Sequence, residues 1–227
     1  MERNRDGRNM PEHPPGKRRW PAVRWSLVGG GFAGALAAGV AVALLLQAAG
    51  EWEQGLPWER ELLLRLDTTI PAWADGALVA LPWLGTNFTL LPLVLAVSAW
   101  LWLRTPHRDV ALRLVVVQLG SLALNVILKN LYDRPRPALW PKRGQFALTS
   151  YPSGHAIAGV AVLLTVALLL LRARRPLLAA GVAAFVLVSL YSRLYLGVHW
   201  PTDVLGGVAV GAIWLWATTK GFAPRER

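Results

Sequence analysis

The chain has 227 residues, of which 54% are hydrophobic and 16% are charged. Soluble domains carry roughly 25% charged residues, so the composition argues against an ordinary soluble fold and favours a membrane protein. The formal net charge is +11. Its basic residues lie mainly in the N-terminal arm and in short connections, without a nucleic-acid-binding motif, and we expect no nucleic-acid partner. The chain contains no cysteine, which excludes disulfides and thiolate chemistry.

Six apolar windows follow one another along the chain, at 26–50, 85–103, 110–128, 156–171, 176–192 and 204–219. A helix needs about 20 residues to cross a bilayer. The first window is too long for the core of a signal peptide and is interpreted as a retained span. The last three are short, so we expect their outer ends to continue into a polar, protein-lined site. The windows predict an all-α polytopic membrane protein with six transmembrane helices: a basic arm at 1–24, a six-helix domain at 25–219 and a tail at 220–227.

The placement of lysine and arginine predicts the orientation, because basic loops stay on the cytoplasmic side. The N-terminal arm, the connections after the second and fourth windows, and the tail are basic, whereas the loop at 51–75 is mostly acidic. We therefore expect both termini in the cytoplasm and the other loops outside the plasma membrane. The segment at 129–143 is basic although it lies outside, which indicates a local function. Tryptophans near window ends, among them Trp52, Trp200 and Trp214, are typical of an aromatic belt.

Three polar clusters occupy the outer ends of the third to sixth windows. The first runs from Lys129 to Arg136, the second is 152–155, and the third runs from Arg193 through His199 to Asp203. By topology, all three meet on one face of the membrane. Ionisable residues are costly at membrane depth and therefore mark a functional site.

The residue types in these clusters suit phosphoryl transfer. Lys129, Arg136 and Arg193 supply three cations for a phosphate dianion. Ser153 and Gly154 begin a helix, whose free N–H groups and positive dipole end attract anions. We expect these five residues to bind phosphate.

Two histidines and a carboxylate supply the catalytic chemistry. Asp203 can hold one ring nitrogen of His199, which leaves the other nitrogen as an unprotonated nucleophile. His155 is then free to protonate the leaving oxygen near neutral pH. The sequence therefore predicts His199, His155 and Asp203 as the catalytic residues.

The clusters resemble the three signatures of the type 2 phosphatidate phosphatase family, also called the lipid phosphate phosphatases. Lysine, six residues and Arg-Pro are matched from Lys129 to Arg136, Pro-Ser-Gly-His is matched at 152–155, and Ser-Arg, five residues, His, three residues and Asp are matched at 192–203. The resemblance implies a phosphohistidine intermediate on His199 and a membrane lipid phosphate as substrate. It implies neither a metal nor another cofactor.

Several alternatives stay open at this point. A phosphotransferase would form the same phosphohistidine, and a non-catalytic lipid-binding protein would share the fold, although its motifs would be degenerate. Vanadate haloperoxidases resemble the family in their pocket but are soluble. Phosphatidate, phosphatidylglycerol phosphate and undecaprenyl diphosphate all fit as substrates. Arg134 is either a contact behind the site or a solvated loop charge, and the sequence does not determine the oligomeric state.

Overall fold

The computed structural model describes residues 21–68, 75–140 and 149–222. Most of the predicted arm at 1–24, the end of the predicted basic segment and the last five residues of the predicted tail lie outside these ranges. Within the described ranges the chain is almost entirely helical, as predicted, and an isolated antiparallel bridge joins Pro135 to Thr149.

The described residues form five long helices and several short ones. The long helices are α1 (Trp25–Ala48), α4 (Asn87–Arg104), α5 (Arg108–Leu131), α8 (Pro176–Tyr195) and α9 (Pro201–Gly221). The segment between α1 and α4 contains α2 (Pro57–Asp67), α3 (Asp75–Ala80) and a 3-10 helix (Leu81–Gly85). Between α5 and α8, α6 (Gly154–Ala158), a π turn (Gly159–Leu163) and α7 (Leu164–Arg172) follow one another without a break.

Five helices in the described ranges are long and apolar enough to cross a membrane. They are α1, α4, α5, the continuous run from α6 to α7, and α8. They coincide with the first five predicted windows, and the chain is a membrane protein. The sixth window corresponds to α9, which has 21 residues and is therefore about 30 Å long. Its mean hydropathy is lower than that of the other five helices, because glycines and tryptophans interrupt it and Asp203 and Lys220 lie near its ends.

The helices extend beyond the predicted windows at their charged ends. Lys129 belongs to the last turn of α5, and Arg193 belongs to the last turn of α8. Asp203 lies in the first turn of α9, which begins at Pro201. Proline suits this position because the first helical residue has no intrahelical partner for its N–H. The short windows are therefore full-length helices whose polar ends belong to the site.

Helix α1 packs along α9, and small residues allow the close approach. A Cβ added to Gly31 would lie 2.0 Å from the Cβ of Ala217, so only glycine fits there. Farther along, Trp214 is buried and its indole N–H donates to the carbonyl oxygen of Val117 at 3.0 Å. The predicted belt position is therefore wrong for Trp214, which is part of the core.

The segment that connects α1 to α4 is more ordered than a simple outer loop. Helix α2 is amphipathic: Leu63 is fully buried, whereas Trp58 and Leu64 are about half exposed. Glu59 lies in its first turn and is also fully buried. A buried carboxylate requires partners that offset its desolvation, and these partners lie in the site.

Candidate active site

Four helix ends form the site. Lys129 and Arg193 come from the last turns of α5 and α8, while Ser153 and Asp203 come from the start of α6 and the first turn of α9. The backbone N–H of Ser153 donates to the carbonyl oxygen of Asp203 at 3.0 Å. A Cβ on Gly207 would lie 2.6 Å from the carbonyl oxygen of Ser153. Glycine at 207 therefore lets α9 pack directly against the start of α6.

His199 lies in the short connection between α8 and α9, and its side chain is buried. Its Nδ1 atom is 3.7 Å from Oδ2 of Asp203. This distance is too long for a direct hydrogen bond. The Ser150 hydroxyl lies between them: it donates to Oδ2 of Asp203 and is 3.4 Å from Nδ1 of His199. Asp203 and the imidazole are thus adjacent, as predicted, but Ser150 mediates their contact.

The other ring nitrogen of His199 faces Arg136. Nη1 of Arg136 is 3.3 Å from Nε2 of His199, and it also donates to the carbonyl oxygen of Val198. A guanidinium can only donate, so this contact favours the tautomer with a proton on Nδ1 and a lone pair on Nε2. Burial, opposed by Asp203 and assisted by the positive charges of Arg136 and Lys129, lowers the pKa of His199 to about 4. The imidazole is therefore neutral near pH 7.

Asp203 is fully buried and its carboxylate has three donors. Oδ2 accepts from the Ser150 hydroxyl and from the backbone N–H of Trp200, the latter at 2.8 Å. Oδ1 accepts from Nη1 of Arg134 at 2.8 Å. Because each oxygen has its own donors, the carboxylate is fixed in rotation beside His199.

Arg134 has no exposed surface, and all three nitrogens of its guanidinium donate hydrogen bonds. Besides Asp203, it donates to the carbonyl oxygen of Trp52 at 2.9 Å, to Oγ1 of Thr202 at 2.7 Å and to Oε2 of Glu59 at 3.1 Å. Its central carbon lies 5.4 Å and 5.5 Å from the ring centroids of Trp52 and Trp200, within cation–π range. Arg134 is therefore a buried contact behind the site, and its interpretation as a solvated loop charge is wrong.

The three predicted phosphate-binding cations lie around His199 at different depths. Arg193 is buried, and its Nε donates to the Ser192 hydroxyl at 3.2 Å. Lys129 and Arg136 are half-buried, and Nζ of Lys129 donates to the carbonyl oxygen of Thr149 at 3.0 Å. Arg193 interacts electrostatically with Arg136, and Lys129 with Arg136 and Asp203. Such a group of cations favours an anionic ligand.

The start of α6 contributes the remaining predicted residues. Ser153 is the N-cap residue and is fully buried, Gly154 is the first helical residue, and His155 lies in the first turn. Gly154 and His155 are half-buried. In the described part of the chain, no group of three or more His, Asp or Glu side chains is placed to hold a metal ion.

Five residues of this arrangement were not predicted as site residues: Glu59, Ser150 and Thr202 were not singled out, and Trp52 and Trp200 were assigned to an aromatic belt. Glu59 accepts from the N–H and the hydroxyl of Thr202 at 2.9 Å and 2.7 Å. The sequence does contain one signal for it. Pro57 and Glu59 stand at the first and third positions of α2, as Pro201 and Asp203 do in α9. That pattern predicts a helix start but not its distant partner.

The fold and the site define a helical membrane protein with a cationic, histidine-containing site at the ends of its helices. The model of the PAP2 superfamily matches residues 110–227, which is half of the chain. Phosphatidylglycerophosphatase B of Bacillus subtilis is 35% identical over 159 residues, covering 66% of this chain and 75% of that protein. Undecaprenyl-diphosphatase of Sulfolobus acidocaldarius is 31% identical over 168 residues, covering 70% and 76%. The chain belongs to the PAP2 superfamily, and it is a phosphate-ester hydrolase of the PAP2 type.

A solved structure shares the fold. The crystal structure of the transmembrane PAP2-type phosphatidylglycerolphosphate phosphatase from Bacillus subtilis superposes with a TM-score of 0.69 at 22% sequence identity. The superposition covers 83% of this chain and 94% of that chain. The helical arrangement described above is therefore that of a PAP2 membrane phosphatase.

Proposed function

We propose that this protein hydrolyses the terminal phosphate of a membrane lipid phosphate or diphosphate through a phosphohistidine on His199. The observation that carries the proposal is the environment of the imidazole. Its Nε2 carries the lone pair and faces Arg136, while Nδ1 is oriented by the Ser150 hydroxyl, which is itself bonded to Asp203. A neutral, oriented imidazole next to cations is suited to attack a phosphorus atom.

The reaction takes place in two steps, transfer of the phosphoryl group to His199 and hydrolysis of the phosphohistidine. In the first, Nε2 of His199 forms a bond to phosphorus, the bond from phosphorus to the lipid oxygen breaks, and His155 gives its proton to that oxygen. In the second, His155 takes a proton from water, the resulting hydroxide attacks phosphorus, and the P–N bond breaks. Inorganic phosphate leaves, and both histidines return to their starting state.

The cations and the start of α6 bind the phosphate in this scheme. Lys129, Arg136 and Arg193 neutralise its oxygens, and the hydroxyl of Ser153 and the N–H of Gly154 donate to them. The charge on these oxygens changes during transfer. Donors that are already fixed in a site without bulk water therefore stabilise the transition state more than water would. No metal is needed, because the cationic side chains supply the positive charge.

We further propose that α9 is the sixth span, that both termini are cytoplasmic and that the site faces outward from the plasma membrane. The basic residues after α4 and α7 support this orientation by the positive-inside rule. The site then lies at the level of the lipid headgroups, where a terminal phosphate is accessible without leaving the bilayer.

For the substrate we propose two classes, glycerophospholipid phosphates and isoprenoid diphosphates. The relative from Bacillus subtilis is named as a phosphatidylglycerophosphatase and the one from Sulfolobus acidocaldarius as an undecaprenyl-diphosphatase. Both substrates present a terminal phosphate on an apolar anchor. A panel of phosphatidylglycerol phosphate, phosphatidate and undecaprenyl diphosphate, measured on the purified protein, ranks them by kcat/KM.

Trapping of the intermediate tests the mechanism. Purified protein is mixed with lipid labelled in its terminal phosphate and quenched in alkali, in which phosphohistidine survives. The wild type should carry label and His199→Ala should not. Labelled His199→Ala protein would reject His199 as the nucleophile. Transfer of label to an added lipid alcohol rather than to water would identify a phosphotransferase instead.

Cysteine labelling tests the orientation in this cysteine-free chain. Glu53 and His107 are exposed residues in the connections before α2 and α5. In intact cells, an impermeant thiol reagent should label Glu53→Cys but not His107→Cys. The opposite pattern would reverse the proposed topology.

A further inference from the structure

Two helices of this protein begin in the same way and meet at a single arginine. Each has proline at its first position and an acid at its third, and the acid accepts from the backbone N–H that precedes the helix. Leu56 donates to Oε2 of Glu59 at 2.8 Å, and Trp200 donates to Oδ2 of Asp203 at 2.8 Å. Both carboxylates also accept from Arg134. Helix α2 is therefore connected to the catalytic aspartate by ion pairs.

All three charged side chains of this network are fully buried. Buried charges are expensive unless they are paired and every lone pair has a donor. Glu59 meets this condition with four donors: Leu56, both polar groups of Thr202, and Arg134. Removal of Arg134 would leave two buried carboxylates without a cation, which is far more costly than the ion pairs are worth.

The geometry relates this network to His199. Arg134 binds Oδ1 of Asp203 and leaves Oδ2 facing Ser150 and the imidazole. Without Arg134, only the two bonds to Oδ2 of Asp203 would oppose rotation of the carboxylate. The charge of the trio sums to −1, so it also favours the positive charge that the imidazole ring acquires when its second nitrogen is phosphorylated.

We propose that Arg134 is the positioning residue that sets the rotation of Asp203, and that Glu59 on α2 holds the guanidinium of Arg134 in place. This inference rests on the proposed function, because it assumes that His199 is the nucleophile. It makes α2 a part of the catalytic site, although none of its side chains is assigned a contact with the substrate.

Paired substitutions in the Arg-Pro-Arg-Pro run separate positioning from binding. Kinetics are measured on the purified full-length protein in mixed micelles with phosphatidylglycerol phosphate, together with the rate of labelling at His199. Arg134→Gln should lower kcat and the labelling rate by roughly 10–100-fold, as supporting residues commonly do, with little change in KM. Arg136→Gln removes a phosphate contact and should raise KM. A purely structural role for Arg134 would lower thermal stability and leave kcat of the folded protein unchanged.

A second substitution tests the role of Glu59 directly. In Arg134→Gln the carboxylates of Glu59 and Asp203 share a buried site without their cation. If Glu59 acts only through Arg134, Glu59→Gln should lower kcat in the wild type but cause no further loss in Arg134→Gln, so the losses of the two single variants should not add. Glu61→Gln is the matched control, because Glu61 is exposed on the same helix; it should stay within about twofold of the wild type.

The outcomes distinguish the two proposals. Activity in His199→Ala would overturn the proposed function. An inactive His199→Ala with Arg134→Gln at wild-type kcat, or with fully additive losses in the double variant, would overturn only the positioning role. If Arg134→Gln does not fold, Glu59→Gln and Arg134→Lys replace it in the test. Each should lower kcat by a larger factor than it changes KM. Wild-type kcat in both variants would reject the inference.

Discussion

Nδ1 of His199 and Oδ2 of Asp203 are 3.7 Å apart, and the hydroxyl of Ser150 links them. The proton on Nδ1 is therefore directed at a serine that is itself hydrogen-bonded to the aspartate. Ser150 stabilises the tautomer in which Nε2 carries the lone pair. Through its hydrogen bond to Asp203 it also couples the ring electrostatically to the carboxylate. This arrangement leads to the first prediction.

Ser150→Ala should lower kcat by roughly 10–100-fold with little effect on KM, because the imidazole loses its orienting contact while the phosphate-binding cations stay in place. Steady-state kinetics on a lipid phosphate measure both constants. Ser98→Ala is the matched control, because Ser98 is a buried serine in α4, remote from the site. Equal effects of the two substitutions would show that Ser150 matters only for packing.

The two histidines should respond differently to the leaving group. In the proposed mechanism His199→Ala removes the atom that bonds to phosphorus, so this variant should be inactive on every phosphate ester. His155→Ala should lose about 10²–10⁴-fold on a lipid phosphomonoester, whose alkoxide needs a proton. On p-nitrophenyl phosphate the loss should be much smaller, since nitrophenolate leaves without one. Equal losses of His155→Ala on both substrates would assign His155 to phosphate binding.

The pKa of His199 predicts how the site behaves in acid. Burial lowers this pKa from 6.5 to about 4, so between these values the folded protein binds fewer protons than the unfolded chain. The contribution of this group to stability is thus complete above pH 6.5 and is lost as the pH falls toward 4. In a protein with ¹⁵N-labelled histidine, the ring signals absent from His199→Ala should stay those of a neutral imidazole down to about pH 4. Titration of these signals near pH 6.5 would contradict the buried environment.

Catalysis should survive strong chelation, because Lys129, Arg136 and Arg193 supply the charge that a metal would provide. Vanadate should inhibit in competition with substrate by adopting the five-coordinate geometry of the transferred phosphoryl group. Both effects are measured as initial rates on a lipid phosphate. Activity that is lost in EDTA and restored by magnesium or zinc would reject this mechanism.

Much of the site was predictable because its residues lie at helix ends that the apolar windows define. Lys129, Ser153, Arg193 and Asp203 flank such windows, and topology alone brings those ends to one face. It was harder to predict which of these side chains contact each other directly. The spacing of His199 and Asp203 suggested a direct contact, and nothing in the sequence indicated that Ser150 lies between them.

The ion pair between Glu59 and Arg134 could not be predicted from the sequence. They are 75 residues apart, and each is an ordinary charge in a segment that looks solvent-facing. Their burial follows from tertiary packing, since the rings of Trp52 and Trp200 both lie within cation–π range of the guanidinium. Tryptophan near a span end fits a membrane belt equally well, so only the fold reveals that these two rings shield an ion pair.

The shared carboxylate of Glu59 also constrains any recombination between relatives. It caps α2 through Leu56 and the start of α9 through Thr202, so α2 is not part of an exchangeable loop. The superfamily match begins at residue 110 and omits this half of the network. A chimera that takes residues 110–227 from this protein and its first outer segment from another must transplant residues 59 and 134 as a pair. Otherwise the buried guanidinium at position 134 keeps Asp203 but lacks its second carboxylate.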